Sequence, residues 1–313
     1  MNGIVIVDKP RGFTSFDVCA LVRKIYHEKK TGHAGTLDPE ATGVLPVFLG
    51  SAAKAADILP ADDKVYLAEM TLGIETDTED IFGNVLAERP YEGTEEELRE
   101  AVLSFTGTYA QVPPMYSAKK VDGKKLYELA RAGKTVERKA VPVTVYGIDV
   151  VSVELPKAVI RVHCSKGTYI RTLIADIGKK AGSLACMSAL RREKHGVFGL
   201  SEAVTVDELK KAAEAGKEAD FVLGTDAVFA AYPAVRVRKD AMRFLLNGNK
   251  LIPEDLEERA AFAEDPAGAC ESAGVLLEDG ASVRVYGADG AFRALYIYKR
   301  AENAFLPRKM FLS

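Results

Sequence analysis

Two charged residues in this sequence stand where ordinary structural duty accounts for them poorly. The first is Asp38, in Gly32-His33-Ala34-Gly35-Thr36-Leu37-Asp38-Pro39, a stretch of small and polar residues that passes through Gly43 into an apolar run ending at Gly50. An Asp-Pro pair often opens a helix, the carboxylate capping free N–H groups and the proline taking the first helical position. A loop that only had to turn would be served by Gly and Asn, yet this one carries both His33 and Asp38. The second is Arg171, in "SKGTYIRTLIADIGKKAG", where Tyr169 and Arg171 fall in the first turn of an amphipathic helix. A cation there sits at the unfavourable end of the helix dipole, and a nearby anion would resolve the conflict.

The elements that must position these residues are readable from pattern. "GIVIVDKP" is a first strand, and Thr14-x-x-Asp17 is a capping box, followed by Val18, Leu21, Val22 and Ile25 at helical spacing up to the basic stop "HEKK". The Asp38 loop therefore lies between a helix and an apolar strand or buried segment. "DKVYLAEMTLG" alternates as a strand, with Tyr66 on it, and leads into the polar loop "IETDTEDIFGN". Thr94-x-x-Glu97 opens another helix, which ends by Gly107. Asp122-Gly123 between two lysine pairs signals a hairpin, with a short helix over 126–132 behind it. "VPVTVYGIDVVSVEL" and "KAVIRVHC" pair as strands, and the helix after them shows Ile170, Leu173, Ile174 and Ile177 on one stripe, closed by Gly182. From about Tyr232 the pattern turns to a compact β-rich unit. It holds a short helix at "DAMRFLLNG", turn signals at Asp279-Gly280 and Asp289-Gly290, and an acidic insertion or flexible loop over 254–274.

Composition bounds the function classes. The 313 residues, 48% hydrophobic and 28% charged, exclude disordered, collagen-like and disulfide-dense chains. The start has no basic region before its few apolar residues, so a cytoplasmic protein without a signal peptide or membrane span is expected. Cys19, Cys164, Cys186 and Cys270 are scattered, and the four histidines lack ligand spacing, so neither disulfides nor metal are expected. The net charge of −3 is unevenly spread. Residues 253–274 hold seven acids against one base, leaving the remainder net basic, and residues 117–139 hold eight bases against three acids. That run is either a solvated surface or a contact for a phosphate backbone.

Several motifs fail. "AGKT" at 132–135 lacks the first glycine of a phosphate loop, Glu128 standing there. Ser117-x-x-Lys120 has no S-D-N or K-T-G partner, no dinucleotide fingerprint occurs, and "TDTED" lacks calcium-loop spacing.

The stretch Gly32-His33-Ala34-Gly35-Thr36-Leu37-Asp38-Pro39-x-Ala41-Thr42-Gly43 resembles the signature of bacterial tRNA pseudouridine-55 synthases, the TruB family. The resemblance continues, in the family's order, through "GIVIVDKPRGFTSFDV", "LGIETDTEDIFGNV", "QVPPMYSAKKVDGKKLYELAR", "HCSKGTYIRTLIADIG" and "LRR" at 190–192. The C-terminal unit is similar to an RNA-binding PUA domain, from which the acidic stretch departs.

That resemblance implies an α+β catalytic domain over 1–231, with a mixed, largely antiparallel sheet and a cleft, and a PUA-like domain over 232–313. It implies cofactor-free and metal-free isomerisation of uridine-55 in the TΨC arm of tRNA, with the base flipped out of the arm. Asp38 is then the catalytic aspartate, Arg171 the cation that keeps it ionised and aimed, and Tyr66 the ring that stacks on the uracil and assists proton transfer at C5. Tyr169 supports the pocket, Leu190 packs against the base, and His33 occupies the space that the flipped nucleotide leaves. Lys54, Lys119, Lys120, Lys124 and Lys125 meet phosphates. Asp80 matches a family position without an evident physical role. A monomer is expected, with tRNA as the partner. The rivals are a non-catalytic RNA-binding protein and a carboxylate-dependent enzyme acting on a small glycosyl substrate.

Overall fold

The first strand, β1 (Gly3–Lys9), is an unbroken apolar run because both of its faces are covered: Ile4 and Ile6 enter one core cluster, Val5 and Val7 another. A strand buried on both sides has no reason to alternate apolar with polar residues. The computed structural model describes residues 1–121, 123–257 and 278–312, without the side chain of Lys120. After β1, Thr14 caps helix α1 (Ser15–Ile25) in a reciprocal capping box with Asp17, and Val18, Cys19 and Val22 pack beneath it. Short strand β2 (Thr31–His33) and strand β3 (Thr42–Leu49) follow, with the Asp38 loop between them.

The chain continues through β4 (Lys64–Leu72), a small ribbon of β5 (Ile74–Thr76) and β6 (Val85–Glu88), helix α2 (Glu95–Leu103) and β7 (Gly107–Gln111). The basic hairpin, β8 (Lys120–Val121) with β9 (Lys124–Lys125), leads into α3 (Leu126–Arg131); Asp122 of its turn lies outside the described residues. Long strands β10 (Val141–Glu154) and β11 (Lys157–Cys164) precede α4 (Ile170–Lys180), and β12 (Ala185–His195), β13 (Phe198–Gly199), β14 (Val204–Thr205) and α5 (Val206–Glu214) complete this part.

The main sheet runs β14-β1-β3-β12-β4-β11-β10-β7, with β2 and β13 paired at its side. Only β1 with β14 and β3 with β12 are parallel, so the sheet is mixed and largely antiparallel, as expected. Along one side of β3, β2 pairs at its end (His33 opposite Val47) and β12 at its start (Arg192 opposite Gly43), so the Asp38 loop emerges between these two partners. Helix α4 lies on this sheet through Ile170, Leu173, Ile174 and Ile177, the stripe legible in the sequence.

A second, four-stranded sheet runs β15 (Ala234–Arg236), β16 (Ser282–Tyr286), β17 (Phe292–Lys299) and β18 (Ala304–Met310) in consecutive order, with α6 (Met242–Leu246) beside it. It has its own core of Val235, Val237, Leu245, Val283, Val285 and Tyr296. It also meets the main sheet in a shared cluster, where Leu295 and Phe311 join Phe229, Ile4, Val44 and Phe48. The acidic stretch at 254–274 lies outside the described residues beyond Glu257, its beginning forming one tight turn at Pro253–Asp255.

Candidate active site

Asp38 does not cap a helix. Pro39 and Glu40 form a turn closed by the Ala41 N–H donating to the Asp38 carbonyl at 3.1 Å, and β3 begins directly after it. Its flanking residues explain how a loop holds a carboxylate still: Leu37 and Ala41 are both buried in the main core. The Ser15 hydroxyl, at the start of α1, accepts from the Leu37 N–H at 2.9 Å and donates to the Leu37 carbonyl at 3.2 Å. On the other flank, the buried Lys9 ammonium donates to the carbonyls of Pro10, Phe13 and Pro39 at 3.0, 2.6 and 3.0 Å. Burial lowers Lys9 to about 8, against the pull of the Asp38 and Glu40 charges.

Two glycines of the signature are required by this packing. Gly35 has φ +62°, and a Cβ there would lie 2.8 Å from the His195 ring and 3.0 Å from an Arg192 guanidinium nitrogen. Gly43 has φ +105°, and a Cβ would come within 2.1 Å of the Arg192 carbonyl. The loop is laid directly on β12, which only a bare backbone permits.

Arg171 and Asp38 meet. The Arg171 Nε lies 3.1 Å from Asp38 Oδ2, and Nη1 lies 3.7 Å from Asp80 Oδ2. The same guanidinium donates to the Thr78 carbonyl and the Tyr116 carbonyl, each at 2.8 Å. Asp80 is fixed in turn, its Oδ1 accepting from the Thr78 hydroxyl at 2.8 Å and from the Phe82 N–H at 3.1 Å. The conflict of a cation at a helix start is thus resolved by two carboxylates and two carbonyls. Arg171 is 7% exposed and Asp38 45%, so the pair opens outward only at the aspartate. The position that lacked a physical role in the sequence, Asp80, holds the far side of this guanidinium.

These groups line a cleft of about 930 Å³, together with His33, Tyr66, Tyr169 and Leu190. Tyr66, on β4, is buried, which raises its phenol, with the neighbouring Arg192 charge pulling the other way. Tyr169 precedes α4, and Gln111 clamps its backbone at both ends: Oε1 accepts from the Tyr169 N–H at 2.8 Å and Nε2 donates to its carbonyl at 3.1 Å. His33 is lowered by burial, and its Nδ1 is buried without a hydrogen-bond partner. Of the lysines expected to meet phosphates, Lys125 lines the cleft, whereas Lys54 is exposed elsewhere and donates to the Met310 carbonyl at 3.2 Å. Lys119 and Lys124 lie on the hairpin off the cleft wall, and the side chain of Lys120 lies outside the described residues.

Sequence reasoning passed over Arg192. It stands opposite Tyr66 on adjacent strands, is completely buried, and donates through Nε to the Val44 carbonyl at 2.7 Å, while Nη1 and Nη2 have no hydrogen-bond partner. The available signal was strand alternation: Leu190 and Arg192 are two apart on β12, so both face the cleft.

Behind Arg192, the His195 Nε2 donates to Asp62 Oδ1 at 2.8 Å while Nδ1 is unpartnered, and burial pushes His195 down to about 4. For Asp62, burial alone would raise the carboxyl, but hydrogen bonds from His195, Lys64 and Lys166 hold it well below the usual carboxylate range. A histidine neutral in the fold and titrating near 6.5 when unfolded contributes stability that is complete above pH 6.5 and lost as pH falls towards 4. The melting temperature should therefore fall over this window, and His195→Gln should flatten that part of the profile; an unchanged profile would mean that His195 is protonated in the fold.

In sequence and in fold the chain is similar to known proteins. Residues 23–170 match the family described as TruB family pseudouridylate synthase (N terminal domain), and residues 171–228 match the tRNA pseudouridylate synthase B C-terminal domain. The chain is 43% identical to a tRNA pseudouridine synthase B of Lachnoclostridium phytofermentans, with 100% of both chains covered. It is 40% identical to one of Burkholderia mallei, covering 99% of this chain and 97% of the other. Among solved structures, an H/ACA RNP bound to a substrate RNA containing 2′-deoxyuridine superposes with a TM-score of 0.71 at 25% identity, covering 99% of this chain and 85% of that chain. A Cbf5-Nop10-Gar1 complex gives 0.70 at 27% identity, with the same coverage.

Proposed function

Because the chain belongs to the TruB family of pseudouridylate synthases, we propose that it converts uridine-55 in the TΨC arm of tRNA to pseudouridine, flipping the nucleotide into the cleft and acting through Asp38 without a cofactor. The observation that carries this reading is Asp38 held by Arg171, and through it by Asp80, at a cleft that Tyr66 and Leu190 also line.

In the reaction the N1–C1′ bond breaks, the uracil turns, C5 bonds to C1′, the C5 hydrogen leaves as a proton, and N1 takes up a proton. Atoms and electrons balance within the nucleotide, so no oxidant, reductant or phosphoryl donor is called for. Asp38 acts either on the uracil ring or at the sugar as the base departs, and in both routes it works as the anion. Arg171 aims it and favours its charge. Tyr66 stacks on the uracil and assists in moving the C5 proton, Leu190 packs on the base, and Tyr169 supports the pocket. His33, in the strand leading to the loop, enters the space the flipped nucleotide leaves. Flipping costs a few kcal/mol, which interactions along the arm must offset.

We further take residues 1–231 as the catalytic domain and 232–313 as a PUA-like RNA-binding domain, with the second sheet's separate core as support. A monomer is taken as the acting unit. The reading places the protein in the cytoplasm with its tRNA; no helix among the described residues is long and apolar enough to cross a membrane.

The test is tRNA made without modifications and tritiated at uracil C5, mixed with the protein in EDTA. Release of about one tritium per tRNA, lost when the target uridine is replaced, supports the reading. Salt-sensitive binding without release would reduce it to an RNA-binding protein. Lys54 and the hairpin lysines Lys119, Lys120, Lys124 and Lys125 are the proposed phosphate partners. Replacing Lys124 and Lys125 by Gln should lower the slope of log affinity against log salt by about 0.7–0.9 for each phosphate that is no longer neutralised. A slope unchanged in binding isotherms at several salt concentrations would take those two lysines out of the interface.

A further inference from the structure

Two of the largest exposed apolar side chains are not scattered over the surface but lie at one cleft. Phe16 is 66% exposed and Phe82 50% exposed, and both line the cleft that holds Asp38. Isolated exposed phenylalanines need no explanation, whereas two lining one polar site do.

Their attachment is as specific as their exposure. Phe16 follows Ser15, whose hydroxyl both accepts from and donates to the backbone of Leu37, the residue before Asp38. Phe82 is fixed through its own N–H to Asp80 Oδ1 at 3.1 Å, and Asp80 holds Arg171. Each ring is therefore carried on backbone that is already tied to one member of the Asp38–Arg171 pair. Arg11 completes the group, its guanidinium 5.0 Å from the centroid of Phe82. Arg11 is also paired with Glu40 at 2.5 Å. With that cation already matched by a carboxylate, aromatic faces are what this rim offers to a ligand. Farther round the cleft the lining turns basic, with Lys125, Arg131 and Lys166.

Resting on the function proposed above, we propose that Phe16 and Phe82 form a stacking subsite for the unpaired nucleobases that flank the target uridine in the RNA loop. Bases of a single-stranded loop can be splayed apart and stacked on aromatic side chains, an interaction open to every base because every base has a π-face. The subsite holds the neighbours once the target is withdrawn into the cleft, and it tolerates any base there. A surface cation pairs with phosphates; these rings take over stacking that is lost when the target leaves the loop.

The experiment is a double-mutant cycle on binding. The full-length protein and its Phe16→Ala and Phe82→Ala variants are titrated with a TΨC stem-loop, either intact or carrying an abasic residue directly 5′ or 3′ of the target. On the intact arm each variant should bind about tenfold to a hundredfold more weakly. On the arm whose matching flanking base is removed that loss should disappear, and Phe82→Tyr or Phe16→Tyr should recover most of the affinity. Equal losses on intact and both abasic arms, or intact-arm affinities within twofold of wild type, overturn the subsite, as does a wild-type protein with no affinity for the arm. Binding is the readout, so wild-type protein that binds without releasing tritium removes the isomerase reading and leaves the coupling result to stand or fall by itself.

Discussion

Asp38→Asn should bind tRNA within about threefold of wild type yet release no measurable tritium, a loss of roughly four to six orders of magnitude, the scale seen when a group bearing the chemistry is removed. The exchange preserves volume and shape and removes only the anion. Binding should survive because the rest of the cleft and its basic rim are untouched. The fold should survive because Asp38 is 45% exposed and its loop is held by Leu37, Ala41, Ser15 and Lys9, none of which bonds to the carboxylate. Arg171 keeps Asp80 and two carbonyls as partners. A melting temperature close to wild type with no turnover is the expected pair of results. Full turnover by Asp38→Asn would end the catalytic assignment, and a large drop in melting temperature would make Asp38 a structural residue.

Arg171→Met should fail in both respects. The substitution keeps an unbranched apolar stem but strands the Thr78 and Tyr116 carbonyls and leaves Asp80, 16% exposed, without its cation. Removing one partner from a buried charged network costs about 3–5 kcal/mol. At roughly 2–4 °C per kcal/mol for a chain of this size class, the melting temperature should fall on the order of 10 °C. Tritium release should fall by at least a hundredfold in the fraction still folded, because Asp38 loses the group that aims it. Arg171→Lys tests the geometry: an ammonium supplies the charge but not a planar fork able to reach four acceptors, so activity should return only in part. Wild-type stability in Arg171→Met, measured by thermal and denaturant unfolding, would show that the four acceptors are not holding the site together.

The contrast between these two variants tracks what the amino-acid sequence makes legible. Asp38 and Arg171 stand out as local anomalies, a charge in a turning loop and a cation at a helix start, and each anomaly is resolved by the other. The capping boxes at Thr14 and Thr94 and the apolar stripe of α4 are equally local, and the helices form where those signals lie. The turn at Pro39–Glu40 overrides the helix-opening habit of Asp-Pro, since Thr42 must already be in β3. Less accessible were the relations between distant segments. Nothing local places β12 between β3 and β4, and without that pairing Arg192 is one more basic residue after Leu190. Asp80 stayed obscure for the same reason, and neither Ser15 nor Gln111 signals from its own segment the backbone atoms it holds, at Leu37 and Tyr169. Acceptors such as the Thr78 and Tyr116 carbonyls have no side-chain signature at all.

The cluster shared by the two sheets has a consequence for how this chain can change over time. Phe229, Phe292 and Phe311 are ring neighbours, and the same cluster includes Val44 and Phe48 of the strand that follows the Asp38 loop. A drift in ring size at Phe311, hundreds of positions away along the chain, is therefore felt at the strand that follows the Asp38 loop. The two sheets are packed against each other through this seam, so substitutions along it should appear in compensating pairs, and a C-terminal sheet grafted from a distant homologue should need a matching face on β3 before the loop at Asp38 regains its place.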